Sequence, residues 1–435
     1  MIFGWGRWSA ATGRMLEADD PAMARRMLGE NPSLIPRGAG RAYGDAALSH
    51  HAMLAMPRAD HILAFDRDLG EIEVEAGAIL ADLLPFLLSE KFFVPVTPGT
   101  AQVTIGGMVA ADVHGKNHQN AGTFGRHVIA ITLLLADGTV LRLAPDAELF
   151  WATVGGMGLT GVILSVRFRL MPVAGGMIRQ TAIKTGDLAE TLAVSSSAAA
   201  ATYSVAWIDC LGAGRGVVYT GEHAADAAVP PPRQIRSVPF DLPEFTLNRF
   251  TIAAFNQAYH SAANHSTSLI DLWRFFYPLD SLHHWNRIYG KRGLTQYQCV
   301  LPHEAGEAGL RRLMAEISAF GLGSFLAVLK LCGDEGRGLL SFPRPGLSLA
   351  LDFPVNPSVL ALLDRLDEIV LDHGGRLYLA KDSLTSAETF SRMYPRLPEF
   401  LAVKSRVDPE NHFVSSQARR LGMLPVRQRP GVVVS

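Results

Sequence analysis

The sequence predicts an α+β protein of two units, and three observations carry that expectation. Strand-like runs alternate with helical ones up to residue 175, a breaker cluster follows at Met171-Pro-Val-Ala-Gly-Gly176, and glycine-rich loops punctuate the first unit. Glu71-Ile-Glu-Val-Glu75 alternates polar and apolar residues, as a half-buried strand does. Val128 to Leu135 is a buried-type apolar run closing on Asp137-Gly138, a hairpin signal. Val162 to Leu170 alternates again, and Ile79 to Leu88 has helical spacing suited to lying over such a sheet. Beyond the breaker, a second α+β unit is expected, with helices over Leu301 to Phe320 and Pro357 to His373, the latter ended by Gly374-Gly375. Val229-Pro-Pro-Pro-Arg233 is stiff and extended, and Phe240 to Tyr277 shows little periodicity, which reads either as a long lid or as an ordinary connector.

Composition narrows the function. Forty basic against 41 acidic residues leave no excess charge to neutralise phosphates, which excludes a nucleic-acid partner, although a local patch for a membrane surface stays open. Cys210, Cys299 and Cys332 are far apart and odd in number, so neither a disulfide framework nor a zinc site is expected and a reduced, cytoplasmic chain is the simplest reading. Met1 to Asp20 lacks the apolar core of a signal peptide, and no run approaches the roughly 18 apolar residues of a membrane span, so membrane association is expected to be at most peripheral.

The chemistry is concentrated in glycine-rich loops. In Pro98-Gly-Thr-Ala-Gln-Val-Thr-Ile-Gly-Gly107, and in Arg37-Gly-Ala-Gly-Arg-Ala-Tyr-Gly44, backbone N–H groups can form a nest for anionic oxygens, with Arg37 and Arg41 assisting. A helix starting at Ile105 would aim its N-terminal end at the same charge. The pattern is not the dinucleotide fingerprint of the doubly wound fold, because a tyrosine precedes and an aspartate follows Gly44. A phosphate-bearing cofactor is expected.

Ile35-Pro-Arg-Gly-Ala-Gly-Arg-Ala-Tyr-Gly-Asp45, the segment from Pro98 to Gly125, and Phe150-Trp-Ala-Thr-Val-Gly-Gly-Met-Gly-Leu-Thr-Gly161 resemble the FAD-binding half of the vanillyl-alcohol-oxidase type of flavoproteins. Trp207-Ile-Asp209, Trp285-Asn-Arg-Ile-Tyr-Gly290, Gln296-Tyr-Gln298, Leu351-Asp-Phe-Pro354 and Gly374-Gly-Arg-Leu-Tyr-Leu-Ala-Lys-Asp-Ser383 resemble the branch of that family that oxidises a polyprenylphosphoryl ribose. The resemblance implies a two-domain PCMH-type fold: residues 1–175 plus 376–435 bind FAD, and residues 176–375 form an α+β substrate domain on an antiparallel sheet, with a mobile flap near 230–280.

The resemblance also implies site residues. FAD would be held by Arg37, Gly38, Ala39, Gly40, Arg41, Tyr43 and Gly44, by Pro98, Gly99, Thr100, Thr104, Ile105, Gly106 and Gly107, by His114, Gly115, Lys116 and Asn117, and by Gly122, Gly125, Gly161, Ile163 and Tyr378. It would be non-covalent, because Arg41 stands where several relatives carry a histidine bonded to the flavin. Lys381, Gln296, Tyr43 and His114 are the candidate catalytic residues, and Trp207, Gln298, Lys330, Ala350 and Asp352 the candidate substrate contacts.

The bland alternatives are a surface position for Lys381, a backbone-bonded core position for His114, solvent for Lys116, an outer strand face for Gln296 and Gln298, and core filling for Trp207 and Trp285. Lys330, flanked by apolar residues, needs a partner that a substrate phosphate would supply. No metal is expected, since the cluster of His114, Lys116, Asn117 and His118 has no paired carboxylates. Ala350 departs from the family pattern, which commonly has cysteine there.

The activity implied is FAD-dependent oxidation of the 2-hydroxyl of a polyprenylphosphoryl-β-D-ribofuranose to the 2-keto sugar, the first half of epimerisation towards the arabinofuranose donor of cell-wall arabinan. A separate NADH-dependent short-chain reductase would complete it. The alternatives are an oxygen-using sugar, alditol or sugar-lactone oxidase, and a non-catalytic flavin-binding protein.

Overall fold

Alternation at Glu71–Glu75 buries Ile72 and Val74 and leaves the glutamates half-exposed, so this strand presents one apolar face to a core. It lies in a five-stranded antiparallel sheet of order Val140–Leu143, Val128–Leu134, Val162–Arg169, Glu71–Glu75, Ile62–Asp66. The Asp137-Gly138 turn joins the first two strands, and Gly138 takes the positive φ of +83° that a side chain would resist. The helix Leu80–Ser89 buries Leu80, Leu83, Leu84, Leu87 and Leu88 over this core. The computed structural model describes residues 1–225 and 235–424. The Pro-rich stretch at 229–233, part of the expected flap and residues 425–435 lie outside them.

The second sheet has eight antiparallel strands in the order Ser266–Asp271, Met177–Thr185, Gly216–His223, Tyr203–Ile208, Ala327–Cys332, Gly346–Pro354, Leu294–Pro302, Arg376–Leu377. Its register places Gln298 opposite Ala350, Ala350 opposite Val328, and Val328 opposite Trp207. With side chains alternating at period two, Trp207, Lys330, Ala350, Asp352, Gln296 and Gln298 share one face. Leu329, Leu349, Leu351, Tyr297 and Cys299 share the other, where they pack under the helices His303–Phe320 and Pro357–Asp372.

Several local expectations need correction. The strand Leu294–Pro302 runs further than the sequence suggests, so the following helix begins at His303 and not at Leu301. The helix at Ile105 stops at Ala110, because Asp112 adopts φ +40°. Met171–Pro172 does not simply break the chain: it pairs with Phe92–Phe93 before the second sheet starts at Met177. Phe240 to Tyr277 is not a long structureless loop. It contains the helix Arg249–Ala262 and the edge strand Ser266–Asp271, whose alignment with Met177–Thr185 was invisible without the partner strand. The signal for the helix was present: Asn248 accepts from Thr251 N while the Thr251 hydroxyl accepts from Asn248 N, a capping box made with threonine in place of the usual Glu or Gln.

Asn248→Ala removes that cap and should weaken the first turn of Arg249–Ala262 by about 1 kcal/mol. Amide exchange over residues 249–253 should accelerate roughly fivefold with the rest of the chain unchanged; unchanged protection in that turn would show that tertiary contacts alone hold it.

Candidate active site

The Arg37 to Gly44 turn and the Pro98 to Thr104 turn meet edge to edge: a Cβ on Gly38 would lie 2.3 Å from Thr104 Oγ1. Backbone N–H groups of residues 38–41 and of 99–100 make no hydrogen bond among the described residues. Gly38, Ala39 and Gly99 are exposed, and a Cβ on Gly99 would meet nothing within 4 Å. A row of unpaired donors, with open space above Gly99, fits the pyrophosphate of FAD, since buried or ligand-facing donors require acceptors.

The rest of the expected nest is different. Ile105 N and Gly106 N donate to Ala78 O and Ala76 O, and Gly107 N to the Thr104 cap, so the helix start is bonded within the protein and does not offer those donors. The Thr100 hydroxyl donates to Asp280 at 2.7 Å, fixing the loop. Arg37 likewise gives its terminal nitrogens to Ala47 O and Phe3 O, so it braces the loop instead of reaching over it. Arg41 lies 4.1 Å over the Trp5 ring with Nε buried and unpartnered.

Tight packing explains other glycines in the set. A Cβ on Gly44 would lie 2.1 Å from Asp382 O, on Gly125 2.4 Å from Val154, on Gly115 2.7 Å from Asn117 Oδ1, and on Gly161 2.7 Å from Leu134 O. Gly122 ends a short helix at φ +70°, Gly40 has φ +67°, and Ile163 pairs with Leu133 in the five-stranded sheet. Pro98 is half-buried beside Gly99.

The polar sheet face meets residues that follow these loops. Gln298 Nε2 is 2.9 Å from His114 Nε2 and 3.2 Å from Ser348 Oγ, while His114 packs 5.1 Å from Tyr378 and 5.3 Å from Phe342. His114 is therefore buried but bonded to a site amide, not to backbone, and its Nδ1 has no partner. Burial first, then Lys330, holds its pKa well below the ordinary imidazole value, so it is neutral. Tyr378 donates to Ala111 O. Asn117 donates to Pro95 O and leaves Oδ1 unpaired.

Lys116 is not in solvent. Its ammonium donates to Phe275 O and lies 4.3 Å over the Phe275 ring, and burial pulls its pKa down to about 7. Lys381 is not a surface lysine either. The strand before it is only Arg376–Leu377, and a turn tied by Tyr43 N to Ala380 O then sets its ammonium 3.9 Å over the Tyr43 ring.

Gln296 donates to Asp352 at 2.5 Å and reaches the Tyr43 hydroxyl at 3.5 Å. Asp352 is 1% exposed with Oδ2 unpaired, and burial raises its pKa. Burial lowers that of Lys381, opposed by Asp352 and reinforced by Lys330. The Lys330 ammonium, its pKa also lowered by burial, makes no hydrogen bond or ion pair among the described residues. Trp207, bonded to Phe325 O at 3.0 Å, stands on the same face, and Trp285 packs with Tyr43 and Tyr289. Asp352's unpaired oxygen and its place on this face were legible only once the register was known.

A face carrying two amides, a carboxyl and Lys330, met by Lys381 from a neighbouring turn and set beside free backbone donors, has the chemistry to take a flavin and an anionic polyol. Residues 22–144 match the FAD binding domain family, and residues 351–421 match the D-arabinono-1,4-lactone oxidase family. The chain is 38% identical to decaprenylphosphoryl-beta-D-ribose oxidase of Mycolicibacterium smegmatis, with 97% of each chain covered. It belongs to that family. L-gulono-1,4-lactone dehydrogenase of Mycobacterium tuberculosis is 22% identical over 88% of this chain and 89% of its own, and mouse L-gulonolactone oxidase is 31% identical over 35% and 34%. The protein is an FAD-dependent oxidoreductase of α+β fold. No described helix is long and apolar enough to cross a membrane, and no described group of His, Cys, Asp or Glu could hold a metal ion.

Gly99→Val tests the cradle. Because a Cβ there meets no protein atom within 4 Å, folding should be unaffected while retained FAD falls roughly tenfold. The ratio of flavin to protein absorbance after gel filtration measures this, and parental occupancy would place the cofactor elsewhere.

Proposed function

We propose that this enzyme oxidises the 2-hydroxyl of a polyprenylphosphoryl-β-D-ribofuranose to the 2-ketone, with Lys381 as the residue that takes the hydroxyl proton. The observation that carries the reading is the single sheet face on which Lys330, Gln296, Gln298, Asp352 and Ala350 meet Lys381 and Tyr43. FAD, when bound through the loops at 37–44 and 98–104, supplies the hydride acceptor.

The protein's own part is positioning and proton handling. Lys381 Nζ, held over Tyr43 and kept from full protonation by burial and by Lys330, accepts the hydroxyl proton as the C2 hydride departs. Gln296, anchored on Asp352, and Gln298, anchored on His114, hold the sugar hydroxyls. Lys330 pairs with the phosphodiester, giving its ammonium the acceptor it lacks. Ala350 leaves room beside them, and Trp207 closes one wall. The family likeness over the whole chain supports the substrate class. The 2-ketone must then be reduced from the other face by a separate NADH-dependent reductase, and a cytoplasmic enzyme resting on the inner membrane suits the lipid. Because a lactone-oxidase family matches residues 351–421, sugar-lactone oxidation with peroxide release is the second reading.

Anaerobic mixing with a short-chain polyprenylphosphoryl ribose should bleach the flavin; bleaching by gulonolactone alone, with peroxide formed in air, would favour the second reading. Lys381→Ala should keep FAD and slow bleaching roughly 10²–10⁴-fold, and a parental rate would remove Lys381 from the chemistry. The rate should rise with pH through a limb near about 7, since only the neutral amine accepts a proton, and Lys381→Met should abolish that limb.

A further inference from the structure

One surface remains unexplained by the site. Phe240, Phe245 and Phe250 are 62%, 76% and 82% exposed, with Ile235 at 52%. These large apolar side chains lie on one structural unit. Arg236–Ser237 pairs with Leu282–His283, Phe240 borders a cleft of ≈ 510 Å³ with Arg7, His284, Arg287 and Lys291, and Phe245 and Phe250 flank the capping box of the helix Arg249–Ala262. The acids of this surface are already neutralised: Asp241 pairs with Arg7 and Glu244 with Arg292. Arg236, Arg249 and Lys291 are exposed on the same segments, Lys291 lining the cleft with Phe240 and Arg249 preceding Phe250 in the chain. On a chain whose net charge is −1, this is a locally basic, aromatic patch.

We infer that this surface, the exposed Phe240, Phe245 and Phe250 together with the exposed cations Arg236, Arg249 and Lys291, docks the enzyme onto an anionic lipid bilayer. Aromatic side chains insert at the headgroup level, and basic residues around them attract anionic lipid. The patch is continuous with the site: on the helix that begins at Arg249, Tyr259 lies 4.7 Å from Trp207 and Phe255 lies 5.4 Å from Phe325. Docked there, the pocket opens at the depth where a prenyl tail resides. The inference rests on the lipid-substrate reading for its purpose, but not for its test.

Holoenzyme is sedimented with vesicles of phosphatidylcholine alone or with phosphatidylglycerol added. It should pellet with the anionic vesicles at low salt and be released as salt rises. Phe245→Ser with Phe250→Ser, and separately Arg236→Glu with Lys291→Glu, should each weaken vesicle binding about tenfold or more while leaving the flavin spectrum and the bleaching rate with a short-chain soluble substrate at parental values. Failure to pellet with anionic vesicles, equal pelleting with neutral ones, or parental binding by both variants overturns the inference. So does a parental dimer in sedimentation velocity that the phenylalanine variant abolishes, which assigns the patch to a second copy of the chain. Vesicle binding without bleaching by the ribose lipid would defeat the proposed function alone; bleaching without vesicle binding would defeat this inference alone.

Discussion

Enclosing several lysines around one site is the constraint on which the rest depends. Lys116, Lys330 and Lys381 are all pulled towards neutrality by burial, and Asp352 is the carboxylate that opposes this at Lys381. Lys404 shows what a buried lysine looks like when it is purely structural: its ammonium meets Asp408 at 2.6 Å and the carbonyls of Leu159 and Phe413 at 3.0 and 3.1 Å. Lys330 and Lys381 have no such hydrogen-bond shell among the described residues. An ammonium held this way is costly unless an anion or a reacting hydroxyl completes it, which is what the proposed ligand contacts of Lys330 and Lys381 would supply.

Register delivers the side chains to that place. Pairing Gln296 with Asp352 and Gln298 with Ala350 fixes which of two alternating faces is polar. A slip of one residue would send Tyr297 and Cys299 to the ligand and the two glutamines under the helices. The same pairing gives each glutamine a fixed anchor, Asp352 for one and His114 for the other. Gly44, with no space for a Cβ against Asp382 O, keeps the Tyr43 loop close to the turn that carries Lys381.

Local patterns made the first sheet legible. Alternation at Glu71–Glu75, the Asp137-Gly138 turn and the leucine spacing of Leu80–Ser89 are each encoded within a short window. The site was legible in composition but not in assignment. Arg37 and Thr100 look like phosphate ligands by residue type, yet their polar atoms are satisfied by Ala47, Phe3 and Asp280, partners distant in sequence. Ile105, Gly106 and Gly107 form a helix start whose donors are already bonded inside the protein. The helix Arg249–Ala262 is hard to read locally because its large apolar residues do not mark a core face: only Ile252 and Asn256 are buried while Phe250 and Phe255 are exposed, and its capping box uses Thr251 where glutamate is the familiar signal. The strand Ser266–Asp271 has little apolar alternation, since it is an edge strand exposed along most of its length.

The electrostatic claim is tested most directly by proton uptake. Calorimetric titration of the oxidised holoenzyme with a short-chain polyprenylphosphoryl ribofuranose, at about pH 8 in buffers of different ionisation heat, reports protons taken up per ligand bound. A phosphodiester keeps its single charge throughout, so any uptake belongs to the protein. Clear net uptake is expected, as the phosphodiester raises the depressed pKa of Lys330 while Lys381 stays neutral for the proton it must accept, and little or none is expected in Lys330→Met. Identical binding heats in every buffer would contradict this, because Lys330 would then be fully charged before the ligand arrives.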